Sequence, residues 1–277
     1  MSALKRLNKI TVADRFAPLR GHLQTLLAEL NENDWARPTA APGWSVKDVA
    51  AHLLGGDIGI LSRERDLRPI AIDVAYPQVV ELVNRLNAEW AIAARRMSPR
   101  LLRDLLAYTG PQVEAYFLSL DIDATGGPVS WAGPDPAPVW FDLAREFTER
   151  WHHQQQIRDA TRRPPLYEPY FLAPVLDTFV RALPHHFRHT VASPGTVVRF
   201  EISGEAGGVW FLHRMVQGWD LVCESITIPA SDVILSEDTA WRLFTKGVDR
   251  REARSAAIIR GDADLAAPIF TATAVIG

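Results

Sequence analysis

The hydrophobic period of the chain changes once, at the "SPGT" of residues 193–196, and this limits the fold more than any other feature. Before it, apolar residues recur at threes and fours, the period of a helix with one buried face. After it, they alternate in short runs rich in Val, Phe and Trp, the period of a half-buried strand. A helical part over residues 1–190 and a small α+β part over 191–277 are therefore expected.

In the helical part, Val12, Phe16, Leu19, Leu23, Leu26, Leu27 and Leu30 predict an amphipathic helix, stopped by the breakers of "NENDWARPTAAPGW". Ser45 then caps a second helix, with Asp48 three residues on in the Glu role of a capping box. Val46, Val49, Ala50, Leu53 and Leu54 give that helix its core face. A third helix runs between Pro77 and Pro99, and a fourth follows, broken or kinked at Gly110-Pro111. "DIDATGGPVSWAGPDPAPV" is a long Gly- and Pro-rich loop, a candidate rim of a site. A helix from Trp140 to Thr161 ends before Pro164 and Pro165, and a last helical stretch covers Leu172–Leu183. In the α+β part, "SGEAGG" predicts a hairpin turn; no helix follows these glycines, so they are not a phosphate loop.

Composition excludes several classes. With 47% apolar and 23% charged residues the chain is an ordinary globular protein. A net charge of -3 offers no footprint for nucleic acid, and no polybasic run suits a membrane surface. No apolar run reaches the roughly 20 residues of a membrane span, and the N-terminus lacks a signal-peptide core. A cytoplasmic protein is expected. Cys223, the single cysteine, rules out an internal disulfide or a multi-thiolate zinc site, and its strand-like surroundings predict a buried, inert thiol.

The densest chemistry lies in "REFTERWHHQQQIRDA", residues 145–160. At roughly 100° per residue, Trp140, Leu143, Ala144, Phe147 and Trp151 form one stripe. Glu149 and His153 lie together on the other side with Gln156 a turn further on, while His152 points about 100° away from His153. By geometry Glu149 pairs with either histidine, and Glu146 is a further candidate. The plain alternative is a solvated polar face. His52, in "VKDVAAHLLGGD", is either a hydrogen-bonded core histidine or a ligand. Gly55 and Gly56 after it cost a helix roughly 1 kcal/mol each, which a pocket beside the imidazole would explain. His185, His186 and His189 read as exposed linker residues, His22 as a core-edge residue, and His213 as a strand residue without acidic neighbours. Zinc-protease, serine-esterase and Walker motifs do not occur.

Together, "APGWSVKDVAAHLLGGD" and "EFTERWHHQQQIRDA" resemble the paired motifs of the mycothiol-dependent maleylpyruvate isomerases, members of the DinB-like metal-binding superfamily. "DVILSEDTAWRLFTKG…IIRGDADLAAPIF" is similar to the sterol-carrier-like domain often fused to them. The resemblance implies a DinB-like four-helix bundle followed by a sterol-carrier-like α+β domain. It implies His52, Glu149 and His153 as zinc ligands, choosing His153 over His152. Gln156 stands where the family has Asp, a change beside the metal that bears on ligand orientation and on substrate.

Two histidines and one glutamate leave a coordination position open, as in catalytic zinc sites. The donor set also admits nickel or iron. The implied cosubstrate is mycothiol, the small thiol of actinobacteria, held by the metal as thiolate. Thiolate addition to an activated cis double bond would allow rotation and elimination to the trans product. A dicarboxylate substrate also needs cationic groups. Arg158, five residues after His153, is such a group or a solvent-facing arginine. The expected partners are a small-molecule substrate and a low-molecular-weight thiol, with no nucleic acid or membrane, in a monomer or homodimer. The rivals are a thiol S-transferase on the same scaffold, a metal-assisted hydrolase, and a non-enzymatic metal or apolar-ligand binding protein. A fourth protein ligand such as His22 or Glu146 would favour the last.

Overall fold

A computed structural model describes residues 5–68, 78–133 and 135–274, with residues 78–80 described by backbone alone. The chain folds as two compact units. One holds Val12–Ile122 and Glu146–Leu166; the other holds residues 5–11, Asp123–Arg145 and 167–274. The unit boundaries thus differ from a division after residue 190, because the chain leaves the helical unit at residue 123, returns at Glu146 and leaves again at Tyr167.

The helical unit begins with a 3₁₀ turn at Ala13–Arg15 and α1, Phe16–Ala28, which buries Phe16, Leu19, Leu23, Leu26 and Leu27. A short α2, Glu32–Trp35, precedes α3, Val46–Gly59. Ser45 caps α3 as expected: its hydroxyl accepts from Asp48 N–H, and Asp48 Oδ2 accepts from Ser45 N–H at 2.9 Å. The helix then widens into a π-helical turn, Ile60–Arg65. Next come α4, Gln78–Ala94, and α5, Pro99–Ser119; Pro77, the expected start of the third helix, lies outside the described residues.

The break expected at Gly110-Pro111 does not occur, and α5 runs through both residues. Proline removes one hydrogen bond from a helix that keeps those on either side. Gly110 is needed for packing instead, since a Cβ there would lie 2.3 Å from Arg20 Cδ. Beyond the loop after α5 comes the longest helix among the described residues, α6, Val139–Thr161, whose chain passes from one unit to the other after Arg145. Helices α1, α3, α5 and α6 form the bundle, and α4 packs on α3. Leu26, Leu27, Val49, Leu54, Leu102 and Ile157 share its core.

In the other unit, part of the long Gly/Pro loop is ordered as a two-stranded ladder of β1, Thr125–Pro128, and β2, Pro136–Pro138. After α7, Pro169–Val180, and α8, Leu183–His186, five strands form one sheet. They are β3, Val197–Ser203; β4, Gly208–Arg214; β5, Trp219–Val222; β6, Ser231–Ser236; and β7, Ile258–Gly261, in the order β5-β4-β3-β6-β7. β3 and β4 form the expected hairpin, with Phe200 opposite Trp210, while β3 and β6 are parallel. α9, Glu237–Phe244, and α10, Arg250–Ala256, connect β6 to β7. Phe179 of α7 stacks on Phe244 of α9 at 5.5 Å, and Phe244 meets Phe200 of β3. Arg6 adds a bridge to Val222 at the edge strand β5. The expected order, a helical bundle followed by an α+β domain, is the one observed. Among the described residues no helix is long and apolar enough to cross a membrane.

Three expectations need correction. Cys223 is half-buried rather than buried, just beyond β5, with its Sγ 3.3 Å from the Lys5 carbonyl. His185 and His186 are half-buried in α8, not exposed, and Thr273 N–H donates to His186 Nε2 at 3.3 Å. His213 has an acidic neighbour after all, because the register sets it opposite Asp220.

Candidate metal centre

Helix α6 has no solvated polar face along "HHQQQ". His152, His153, Gln154, Gln155 and Gln156 are all buried, at 8% exposure or less. Long amides make this tolerable, because they reach backbone groups that would otherwise be unmet. Gln154 Nε2 donates to the Leu19 carbonyl at 2.9 Å, tying α6 to α1. Gln155 Oε1 accepts from Leu166 N–H at 3.2 Å, and Trp151 Nε1 donates to the Leu166 carbonyl, fastening the strap beyond the helix.

Within this buried stretch, α6 presents Glu149 and His153 toward His52 of α3, 97 residues away in sequence from Glu149. His52 Nε2 and His153 Nε2 each lie 2.9 Å from the same atom, Glu149 Oε1. One ligand atom from each of the three residues falls within 4.8 Å of the other two. The imidazole rings meet edge to face, centroids 4.7 Å apart. On its far side His153 Nδ1 is 2.8 Å from Gln156 Oε1. A carbonyl oxygen only accepts, so this contact places a proton on Nδ1 and turns Nε2 toward the shared oxygen.

The electrostatics match the convergence. Burial favours a neutral Glu149, yet His153 and His52 outweigh it and hold the carboxyl well below its usual range. Burial also opposes a charged His153, but Glu149 and Gln156 raise its pKa. His152 differs: burial and the adjacent His153 push it down to about 3, so it is neutral at any ordinary pH. It is not part of the group of potential ligands.

The glycines after His52 play unequal parts. A Cβ on Gly55 would come within 2.6 Å of the Trp90 indole, so this position is filled by α4 rather than left as a pocket. Trp90 Nε1 also donates to the Ala51 carbonyl at 2.7 Å. A Cβ on Gly56 would meet nothing within 4 Å, so open space survives there alone. The Trp44 ring, 5.1 Å away, packs on His52 from the N-terminal side.

The remaining candidates fall elsewhere. Glu146 Oε2 accepts from Arg150 at 2.7 Å and is not among the grouped ligands. Arg158 Nη1 donates to the Pro164 carbonyl at 2.8 Å, past the end of α6, and so is drawn toward the strap. The sequence reading missed a buried network one residue beyond Glu149 on α6 and five beyond His52 on α3. Arg150 also pairs with Asp57 of α3 at 2.8 Å, and Thr109 Oγ1 donates to Asp57 Oδ2 at 2.7 Å. The available signal was Glu146 four residues before Arg150, together with a lone acid in the apolar face of α3.

The helical unit also corresponds to a known family model. Residues 16–158, just over half of the chain, match the mycothiol maleylpyruvate isomerase N-terminal domain. The chain belongs to this family. His52, Glu149 and His153 all lie within the segment that the family model matches. Two solved structures of the mycothiol-dependent maleylpyruvate isomerase, one of them a histidine-to-alanine mutant, share the fold. Each superposes with a TM-score of 0.53 and 11% identity, covering 86% of this chain and 88% of the other. A UbiJ-SCP2 ubiquinone synthesis protein matches over 35% of this chain and 90% of its own, at 17% identity and a TM-score of 0.27. No curated protein matches.

Proposed function

We propose that this member of the family is a metal-dependent, mycothiol-using enzyme of the maleylpyruvate isomerase type. It would act in the cytoplasm on a small molecule with an activated cis double bond. One observation carries the reading: two imidazole Nε2 atoms from distant helices converge on a single carboxylate oxygen.

The residues fit a divalent cation. His52 Nε2, His153 Nε2 and the Glu149 carboxylate would hold it, and the donor set is that of a catalytic zinc site. A bound zinc ion with an open position lowers the pKa of a thiol enough to keep it as thiolate at neutral pH. Around it, each side chain has a definable task. Glu149 supplies the one negative charge among the three groups. Gln156 fixes the His153 tautomer through Nδ1 without adding a second charge, as the Asp of the family would. Trp44 and the buried neighbours of His153 limit water around the imidazoles. Glu146 is tied to Arg150, which leaves three protein donors among the described residues and supports an enzyme over a closed structural site. Arg158 is not part of this proposal as a substrate cation, given its bond to Pro164.

The test is metal content of the purified chain, wild type beside His52→Ala, followed by assays with and without mycothiol. About one ion per chain, lost in the variant, together with thiol-dependent turnover, is the expected result. Catalytic thiol indicates isomerisation and stoichiometric consumption indicates transfer. Turnover without any thiol would point to hydrolysis, and no bound ion after zinc is supplied would overturn the metal reading.

A further inference from the structure

The helical unit holds a cavity of about 40 Å³. Its walls include Leu53, Arg150 and Gln154, the residues after His52, Glu149 and His153, and Leu19, Gln24 and Leu106. Two ion pairs also face it: Arg20 with Glu114 (Nη2 to Oε2, 3.2 Å) and Arg150 with Asp57 (2.8 Å).

Two of the residues lining it each carry an amide atom that is buried with no hydrogen-bond partner among the described residues. One is Oε1 of Gln154, a residue only 1% exposed, whose Nε2 is already committed to the Leu19 carbonyl. The other is Nε2 of Gln24. Buried polar atoms without partners are rare, and each calls for an explanation. Here one is an acceptor and one a donor, so whatever meets both must donate and accept. A metal cation would face the guanidiniums of Arg20 and Arg150, and an anion would face the carboxylates of Asp57 and Glu114. A neutral molecule of the smallest size remains. Since one water needs roughly 10–15 Å³ of such space, the cavity holds about three or four.

We propose that this cavity is an internal hydration site whose waters join Gln24 Nε2 to Gln154 Oε1 and solvate the two flanking ion pairs. It is a fixed part of the bundle core, independent of whether a metal is bound next door. A bridge of this kind satisfies both amides and lessens the desolvation of the charged pairs.

Oxygen-17 relaxation dispersion on the intact chain counts long-lived internal waters in solution. Wild type should carry at least one more such water than Gln24→Met, which replaces the donor with an apolar group at a half-exposed position. Equal counts in the two would overturn the proposal. Should the variant not fold, a crystal of the wild type under xenon decides instead. A wet, polar cavity excludes the gas, and a xenon atom between Leu53 and Gln154 would show it to be dry.

Discussion

His152 and His153 are neighbours in sequence and both buried, yet the structure gives them opposite electrostatic settings. His153→Ala should abolish tight metal binding while His152→Ala retains most of it; elemental analysis of both variants checks this, and the reverse order would sink the assignment. Gln156→Leu should leave the ligands in place but lower metal affinity by roughly 10–100-fold, as loss of a ligand's supporting hydrogen bond does. Competition with a chelator measures it, and unchanged affinity would deny Gln156 that role. A third prediction concerns His186, whose pKa burial lowers below 6.5. Its folded form resists protonation, so as pH falls below 6.5 the unfolded chain binds protons first and stability drops. His186→Gln, which retains an acceptor for Thr273 N–H, should lose less stability between pH 8 and 5.5 than wild type in urea titrations. At this scale the sequence placed Glu149, His153 and Gln156 on one side of α6, and spacing left His152 open. Only the fold shows Glu149 Oε1 shared with His153 and His52.

At the scale of elements, Gly55 and Gly56 look alike in sequence and differ in three dimensions. Gly56→Ala should stabilise α3 by up to about 1 kcal/mol, the helix-propensity gain, because nothing obstructs the new methyl. Gly55→Ala should instead cost roughly 1–3 kcal/mol, since its methyl overlaps the Trp90 indole. Denaturant midpoints of the two variants should move in opposite directions. The cap of α3, the stripe of α1 and the ends of α6 were legible because each rests on local chemistry: Ser45 with Asp48, leucines at threes and fours, prolines at 164 and 165. Pro111 was misjudged for the converse reason. A proline's local cost was visible, but the packing of Arg20 against Gly110 was not. Asp57 and Arg150 escaped notice because their pairing joins helices 93 residues apart.

For the molecule as a whole, the change of period at residues 193–196 marked where the five-stranded sheet begins, not where one compact unit ends. α7 precedes that change and yet belongs with the sheet, through Phe179 on Phe244. Residues 1–190 expressed alone should therefore bind hydrophobic dyes and aggregate, and co-expression with 191–277 should restore a soluble species. A monomeric, dye-silent 1–190 fragment would instead support a division at that point. Synthesis adds a matter of timing. Lys5 and Arg6 find their partners at Val222 and Cys223, beyond the whole helical unit in sequence. During translation this segment has nothing to pair with until more than two hundred further residues have emerged. Domains tend to fold as units while the ribosome works, so the bundle has all of its chain from Leu166 onward, whereas the β5 edge of the sheet waits until residue 223 is made to meet a segment made long before it.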